Sequence, residues 1–261
     1  VNTVTTSDGV DLSYQVEGPS GAPAVLMCHS IGTSSGLWAP QAPRLAQRWR
    51  VIRFDTRGHG RSAVPPGEYA IDDLGRDAIA VMNAVAIPSA HVAGLSLGGL
   101  VAIWLAVHAA DRVRSVVLAH TAARLGTIQR WTDRMAAVRA GGMEAIGETA
   151  MQAWFTPAFR QREPACVDRY RRLLDGCSVD GYAGCCAVLR DTDLRGALGL
   201  IQAPALVIAG TRDAATTVAD AEALRAGIPG AALATIDAAH LGNVERPAEF
   251  TALLESFFER L

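Results

Sequence analysis

The 261-residue sequence contains no lysine, and all 24 of its basic residues are arginine. This excludes Schiff-base catalysis, lysine attachment of pyridoxal phosphate and a Walker-type phosphate loop, each of which needs an ε-amino group. Cysteine is scarce and irregular. Cys28, Cys166, Cys177, Cys185 and Cys186 make an odd count and lack the spacing of a disulfide framework or a zinc site, so neither bridges nor a metal are expected. Strong charge of either sign is missing too. A net charge of −2 offers no field for nucleic acid or an anionic membrane surface. No uncharged apolar run reaches the roughly 18 residues that suggest a membrane span, and there is no internal repeat or low-complexity tract. Residues Val1 to Thr6 lack the basic-then-apolar order of a secretory leader. The expectation is a reduced, soluble, cytoplasmic protein.

What is present is a chain that is 50% hydrophobic and 19% charged, enough apolar surface for a well-buried core. Short apolar runs at 24–28, 51–54, 91–95 and 113–119 read as strands, with helical spacing at 74–85 and 97–109. Residues 10–16 alternate apolar and polar, as a half-buried edge strand does. The texture changes after Thr121. Up to about Arg195 there are no clean strand runs, only amphipathic patterns carrying Trp131, Met135, Val138, Ile146, Met151, Trp154 and Phe155. The alternation then returns, with strands at 205–209 and 231–236, a helix at 219–226, and a closing helix opened by Pro247. The pattern predicts an α/β fold with a mostly parallel sheet flanked by helices. The expected organisation is a core of residues 1–123 and 196–261, interrupted by a helical cap at 124–195.

The chemistry-bearing motif is Gly94-Leu95-Ser96-Leu97-Gly98, a GxSxG placed between a predicted strand and a predicted helix. A sharp strand-to-helix turn projects the central hydroxyl above the sheet, and small residues are needed on either side because strand and helix nearly collide. Ser96 is therefore the candidate nucleophile. A hydroxyl needs a general base. Of six histidines, only His240 lies after the last strand and before the last helix, and it is the candidate base. The acid is expected after the penultimate strand, where Gly210-Thr211-Arg212-Asp213 offers Asp213; a helix N-cap role is its alternative. Asp237 stands too close to His240 in the turn to brace it, and the loop after 113–119, His120-Thr121-Ala122-Ala123, offers no carboxylate. The backbone N–H groups of Leu97 and Ile31 are the candidate oxyanion donors. The order Ser96, Asp213, His240 is the one used by α/β-hydrolase-fold enzymes.

Phe54-Asp55-Thr56-Arg57-Gly58-His59-Gly60-Arg61-Ser62 resembles the D-x-R-G-x-G-x-S loop of that fold, read here as scaffold below the active site. Serine at the elbow points to its esterase and lactonase branch. More specifically, the chain is similar to 3-oxoadipate enol-lactonases, on Ser30-Ile31-Gly32-Thr33, Leu37-Trp38-Ala39-Pro40-Gln41, Thr121-Ala122-Ala123-Arg124, Trp154-Phe155-Thr156, Gly181-Tyr182-Ala183 and Asp193-Leu194-Arg195. There are departures: Cys28-His29-Ser30 lies at an oxyanion loop that varies within the family, and the adjacent Cys185 and Cys186, which could form only a strained ring disulfide, are read as packed thiols. The resemblance implies opening of an enol-lactone in aromatic-compound catabolism, with no metal or organic cofactor and an anionic small-molecule substrate. A cap arginine is then expected to hold the substrate carboxylate. Trp131 and Arg134 share a helical face and are the expected contact pair, with Arg130 expected to point elsewhere; Trp154 is a further candidate, plain core packing being its alternative. Other esterases or lactonases, a C–C hydrolase, a cofactor-free perhydrolase and a non-enzymatic ligand sensor on the same fold remain open.

Overall fold

The computed structural model describes all 261 residues. Eight strands form one sheet: β1 (Asn2–Thr5), β2 (Asp11–Glu17), β3 (Ala24–Cys28), β4 (Arg50–Phe54), β5 (Ala90–Leu95), β6 (Val113–Ala119), β7 (Ala205–Gly210) and β8 (Ala232–Ile236). Their order is β1-β2-β4-β3-β5-β6-β7-β8. β1 and β2 run antiparallel, and every pair from β4 to β8 is parallel. The central strands are apolar on both faces, as strands covered on both sides require: β3, β5 and β7 are buried throughout. The edge is not β2, as the alternation at 10–16 suggested, but β1. That strand is short, polar and largely exposed, so it carries no burial signal.

The helices are α1 (Ala42–Leu45), α2 (Ile71–Ala84), α3 (Leu97–His108), α4 (Ile128–Gly141), α5 (Glu144–Trp154), α6 (Pro157–Arg162), α7 (Pro164–Asp175), α8 (Val179–Asp191), α9 (Val218–Gly227), α10 (Gly242–Glu245) and α11 (Pro247–Phe258). α3 is apolar all round and is buried from Leu97 to Ala106, as a helix without a polar face has to be. It packs on β5, β6 and α2, while α9 covers β7 and β8 and α1 meets α11. Trp38 and Trp49 bring their rings against Phe250 and Phe258 of α11.

Helices α4 to α8 lie consecutively between β6 and β7 with no strand among them. Their starts are set by local chemistry: Thr127, Thr156 and Ser178 each accept a backbone N–H from the first turn of α4, α6 and α8. Trp131, Met135, Val138, Ile146, Met151, Trp154 and Phe155 are all buried. α4 packs chiefly on α8. None of the helices is long and apolar enough to cross a membrane.

Candidate active site

The parallel strands end on one edge of the sheet, so residues far apart in sequence meet there. Ser96 follows β5 and opens α3 with φ 58° and ψ −115°, a conformation L-residues rarely adopt and that is found at functional turns. A Cβ at Gly94 would run into the Gly98 carbonyl, and one at Gly98 into the Cys28 carbonyl. The close approach of strand and helix is therefore possible only with glycine at both positions. The Ser96 N–H donates to the Ala119 carbonyl at 3.0 Å and Thr121 Oγ1 donates to the Ser96 carbonyl at 2.8 Å, which ties the turn to β6.

Asp213 lies three residues beyond β7 and its side chain is fully buried. Its Oδ1 accepts the N–H groups of Ala215 and Thr216 at 2.8 and 3.0 Å. Its Oδ2 accepts Thr216 Oγ1 at 2.7 Å, His240 Nδ1 at 2.8 Å and His120 Nδ1 at 3.1 Å. Burial works against ionisation here, but the charge of His240 and the imidazole hydrogen bonds outweigh it and hold the carboxyl far below its ordinary range. An ionised carboxylate only accepts, so His240 carries its proton on Nδ1 and leaves Nε2 as the basic nitrogen. Ser96 and His240 line the same cavity; the His240 ring meets Asp213 Oδ2 and Thr216 Oγ1 through Nδ1 and makes no hydrogen bond to Ser96. The rival acid, Asp237, is engaged at the surface with Arg212 and Arg246.

The loop after β3 forms another wall, and Ser30 and Ile31 both line the cavity. No turn or loop hydrogen bond takes up the Ile31 N–H, and the Leu97 N–H, in the first turn of α3, precedes the helical ladder. The loop is pinned from below. Gly32 N–H donates to His59 Nε2 at 2.9 Å and Thr56 N–H to His29 Nε2 at 2.9 Å. Burial pushes His59 down to about 3 and lowers His29, which keeps both rings neutral and able to accept. Asp55 accepts from Ser35 and Arg61 N–H, and Arg57 grips Asp77 with two hydrogen bonds of 2.7 and 2.6 Å. Cys185 is a free, buried thiol under this loop, 3.8 Å from His59 Nδ1.

Helices α4, α5 and α8 close the cavity from above with Trp131, Arg134, Trp154 and Tyr182. Trp131 is held by its indole N–H to the Leu125 carbonyl. Arg130 also lines the cavity, with its guanidinium over the Trp131 ring, contrary to the expectation that it points away; the first turn of α4 follows directly on Leu125 and Gly126, which line the cavity too. Neighbouring arginines spend their charge on carboxylates, Arg190 on Glu68 and Asp191, Arg171 on Asp175. Arg130 and Arg134 do not. The helices also join the base loop directly: His240 and Leu241 N–H donate to the Ala153 and Trp154 carbonyls, and Glu245 accepts the N–H and Oγ1 of Thr156.

Sequence reasoning missed His120, Thr216 and Tyr182. His120 directly follows β6 at the sheet edge that also carries Ser96 and Asp213, which is the one sequence signal that it can reach the site.

Residues 23–247 match the model of the alpha/beta hydrolase fold family. The chain is 40% identical over 99% of its length to 3-oxoadipate enol-lactonase 2 of Acinetobacter baylyi, covering 97% of that protein. Among solved structures, the enol-lactonase of Burkholderia xenovorans superposes with a TM-score of 0.97 at 36% identity, covering 99% of this chain and 100% of the other. A hydrolase of Pseudomonas aeruginosa superposes with a TM-score of 0.96 at 42% identity, covering 98% and 97%. The chain belongs to the α/β-hydrolase fold family and is an enzyme that hydrolyses esters.

Proposed function

We propose that this enzyme opens an enol-lactone bearing a carboxylate arm, of the 3-oxoadipate enol-lactone type, with Ser96 as nucleophile, His240 as general base and acid, and Asp213 as its partner. The observation that carries the reading is one cavity holding a strained serine, an imidazole braced by a buried carboxylate, and two arginines without acidic partners.

Ser96 Oγ attacks the lactone carbonyl while His240 Nε2 takes its proton, and Asp213 stabilises the imidazolium. The developing oxyanion is held by the Ile31 and Leu97 N–H groups; losing one such donor typically costs roughly 10²–10³ in turnover. The ring C–O bond breaks and the enol oxygen takes the proton back from His240. The enol stays tethered through the acyl chain, and its conversion to the ketone removes the nucleophile that could close the ring again. Water, deprotonated by His240, then attacks the acyl-enzyme and releases the free acid and Ser96. In this reading residues 124–195 act as the substrate-selecting cap. Arg134, seconded by Arg130, meets the substrate carboxylate, since a guanidinium binds a carboxylate through paired hydrogen bonds, and Trp131 and Trp154 shape the apolar walls.

The test is loss of enol-lactone absorbance on mixing, abolished by Ser96→Ala. Persistence of the lactone while nitrophenyl esters are cleaved would assign a different ester substrate. Thermal stabilisation by the lactone with no turnover of any ester would make the fold a ligand sensor.

A further inference from the structure

We propose that His120 is a positioning residue of the catalytic machinery, a second imidazole that shares the Asp213 carboxylate with His240 and sets how strongly that carboxylate supports the base. The proposal rests on the catalytic reading of Ser96, His240 and Asp213 given above.

Three features single His120 out. It stands at φ 47°, one of only three non-glycine residues with positive φ, Ser96 being another; the left-handed region is uncommon for any residue with a Cβ, although histidine enters it more often than most, and it persists where the surroundings enforce it. Its backbone N–H continues the β6–β7 ladder to the Ile208 carbonyl at 2.8 Å, so the positive φ turns the side chain at a fixed point. Its ring is fully buried, stacked on Phe250 and edge-on to His240.

The chemistry of the contact fixes the tautomer. Asp213 is ionised and accepts only, so His120 Nδ1 donates. His120 Nε2 is then a buried lone pair with no partner, facing the backbone at Gly242, where a Cβ would strike it. A proton on Nε2 would point at nothing that accepts it. His120 is therefore a fixed neutral donor, and burial lowers its proton affinity in the same sense. Oδ2 carries three donors at once, one more than its two lone pairs accommodate well. The density drawn off by His120 is density withheld from the His240 imidazolium. The charged or titratable groups around His240 are Asp213 and His120 on the sheet side, Glu245 from α10, and Arg130, Arg134 and Tyr182 across the cavity.

Removing the donor should let Asp213 hold the imidazolium more strongly while losing one of its braces. In His120→Leu, measured with a nitrophenyl ester, the acid limb of kcat/KM is expected to move to higher pH by about 0.5 unit or more, and kcat at the plateau to fall roughly three- to tenfold with KM little changed. His120→Asn, whose amide places a donor near the Nδ1 position, is expected to recover most of both effects. An unmoved acid limb in the leucine variant overturns the proposal, and so does an asparagine variant as impaired as the leucine one. A measurement that needs no variant to fold is the ¹⁵N spectrum of histidine-labelled wild-type protein: His120 is expected as the Nδ1–H tautomer, and an Nε2–H tautomer overturns the idea. Failure of the catalytic reading has a different signature, full ester turnover by Ser96→Ala with the His120 tautomer unaltered.

Discussion

The sheet edge and the helices above it treat charge in opposite ways. Around the sheet edge the buried charges of Asp213, Arg57 and Asp55 are matched before substrate arrives. Asp213 has five donors, Arg57 is locked to Asp77, and Asp55 caps two loop N–H groups. In α4 the reverse holds, since Arg130 and Arg134 reach the cavity with no carboxylate to meet them. The difference separates two tasks. Groups that stabilise a transition state must be oriented in advance, because reorganising them during reaction costs rate. Groups that recognise a charged substrate are better left for the substrate to satisfy.

This contrast can be tested from both sides. The largest effect is expected at the sheet edge: Asp213→Asn removes the charge that supports His240 and should lower kcat by about 10⁴-fold, as loss of a triad carboxylate does elsewhere, with an unchanged far-ultraviolet circular dichroism spectrum. Asp77→Ala, measured by urea unfolding, should cost about 1–3 kcal/mol, since it removes the buried partner of Arg57 and leaves it only the half-exposed Asp8; a loss below 1 kcal/mol would mean that the matched charges are not what holds the loop. In the helices, Arg134→Ala should raise KM for the anionic lactone roughly 10- to 100-fold, the range of one charge-assisted contact, while leaving a neutral ester nearly untouched. Equal effects on both substrates would erase the proposed division of labour.

The smallest effect is a pH drift in stability. Burial pushes His59 down to about 3 and His91 down to about 4 from an ordinary 6.5. Between those limits the unfolded chain binds protons that the folded one refuses. The stability these rings contribute is thus complete above about 6.5 and is lost as pH falls towards 4. The melting temperature should decline over that window, and His59→Gln should flatten the decline.

The parallel strands were legible because a strand covered on both faces is a short unbroken apolar run, as Ala24–Cys28 and Ala205–Gly210 are. The serine turn was legible because its strain demands glycines at fixed offsets. β1 was not, because Asn2–Thr5 buries almost nothing. His120 escaped for a different reason. Its partner is a carboxylate 93 residues away, and a place at the end of a strand does not by itself give a histidine a partner. Arg130 differs from its expectation because helical spacing along α4 does not say which part of the helix meets the cavity, and its first turn does.

The hydrogen bonds from His240 and Leu241 to the last carbonyls of α5 tie the roof of the cavity to the moving part of the chemistry. A roof stitched to the base loop along that seam cannot lift off evenly. On the proposed reading, Arg130 and Arg134 of α4 lie on the part of the cavity wall that this seam does not hold.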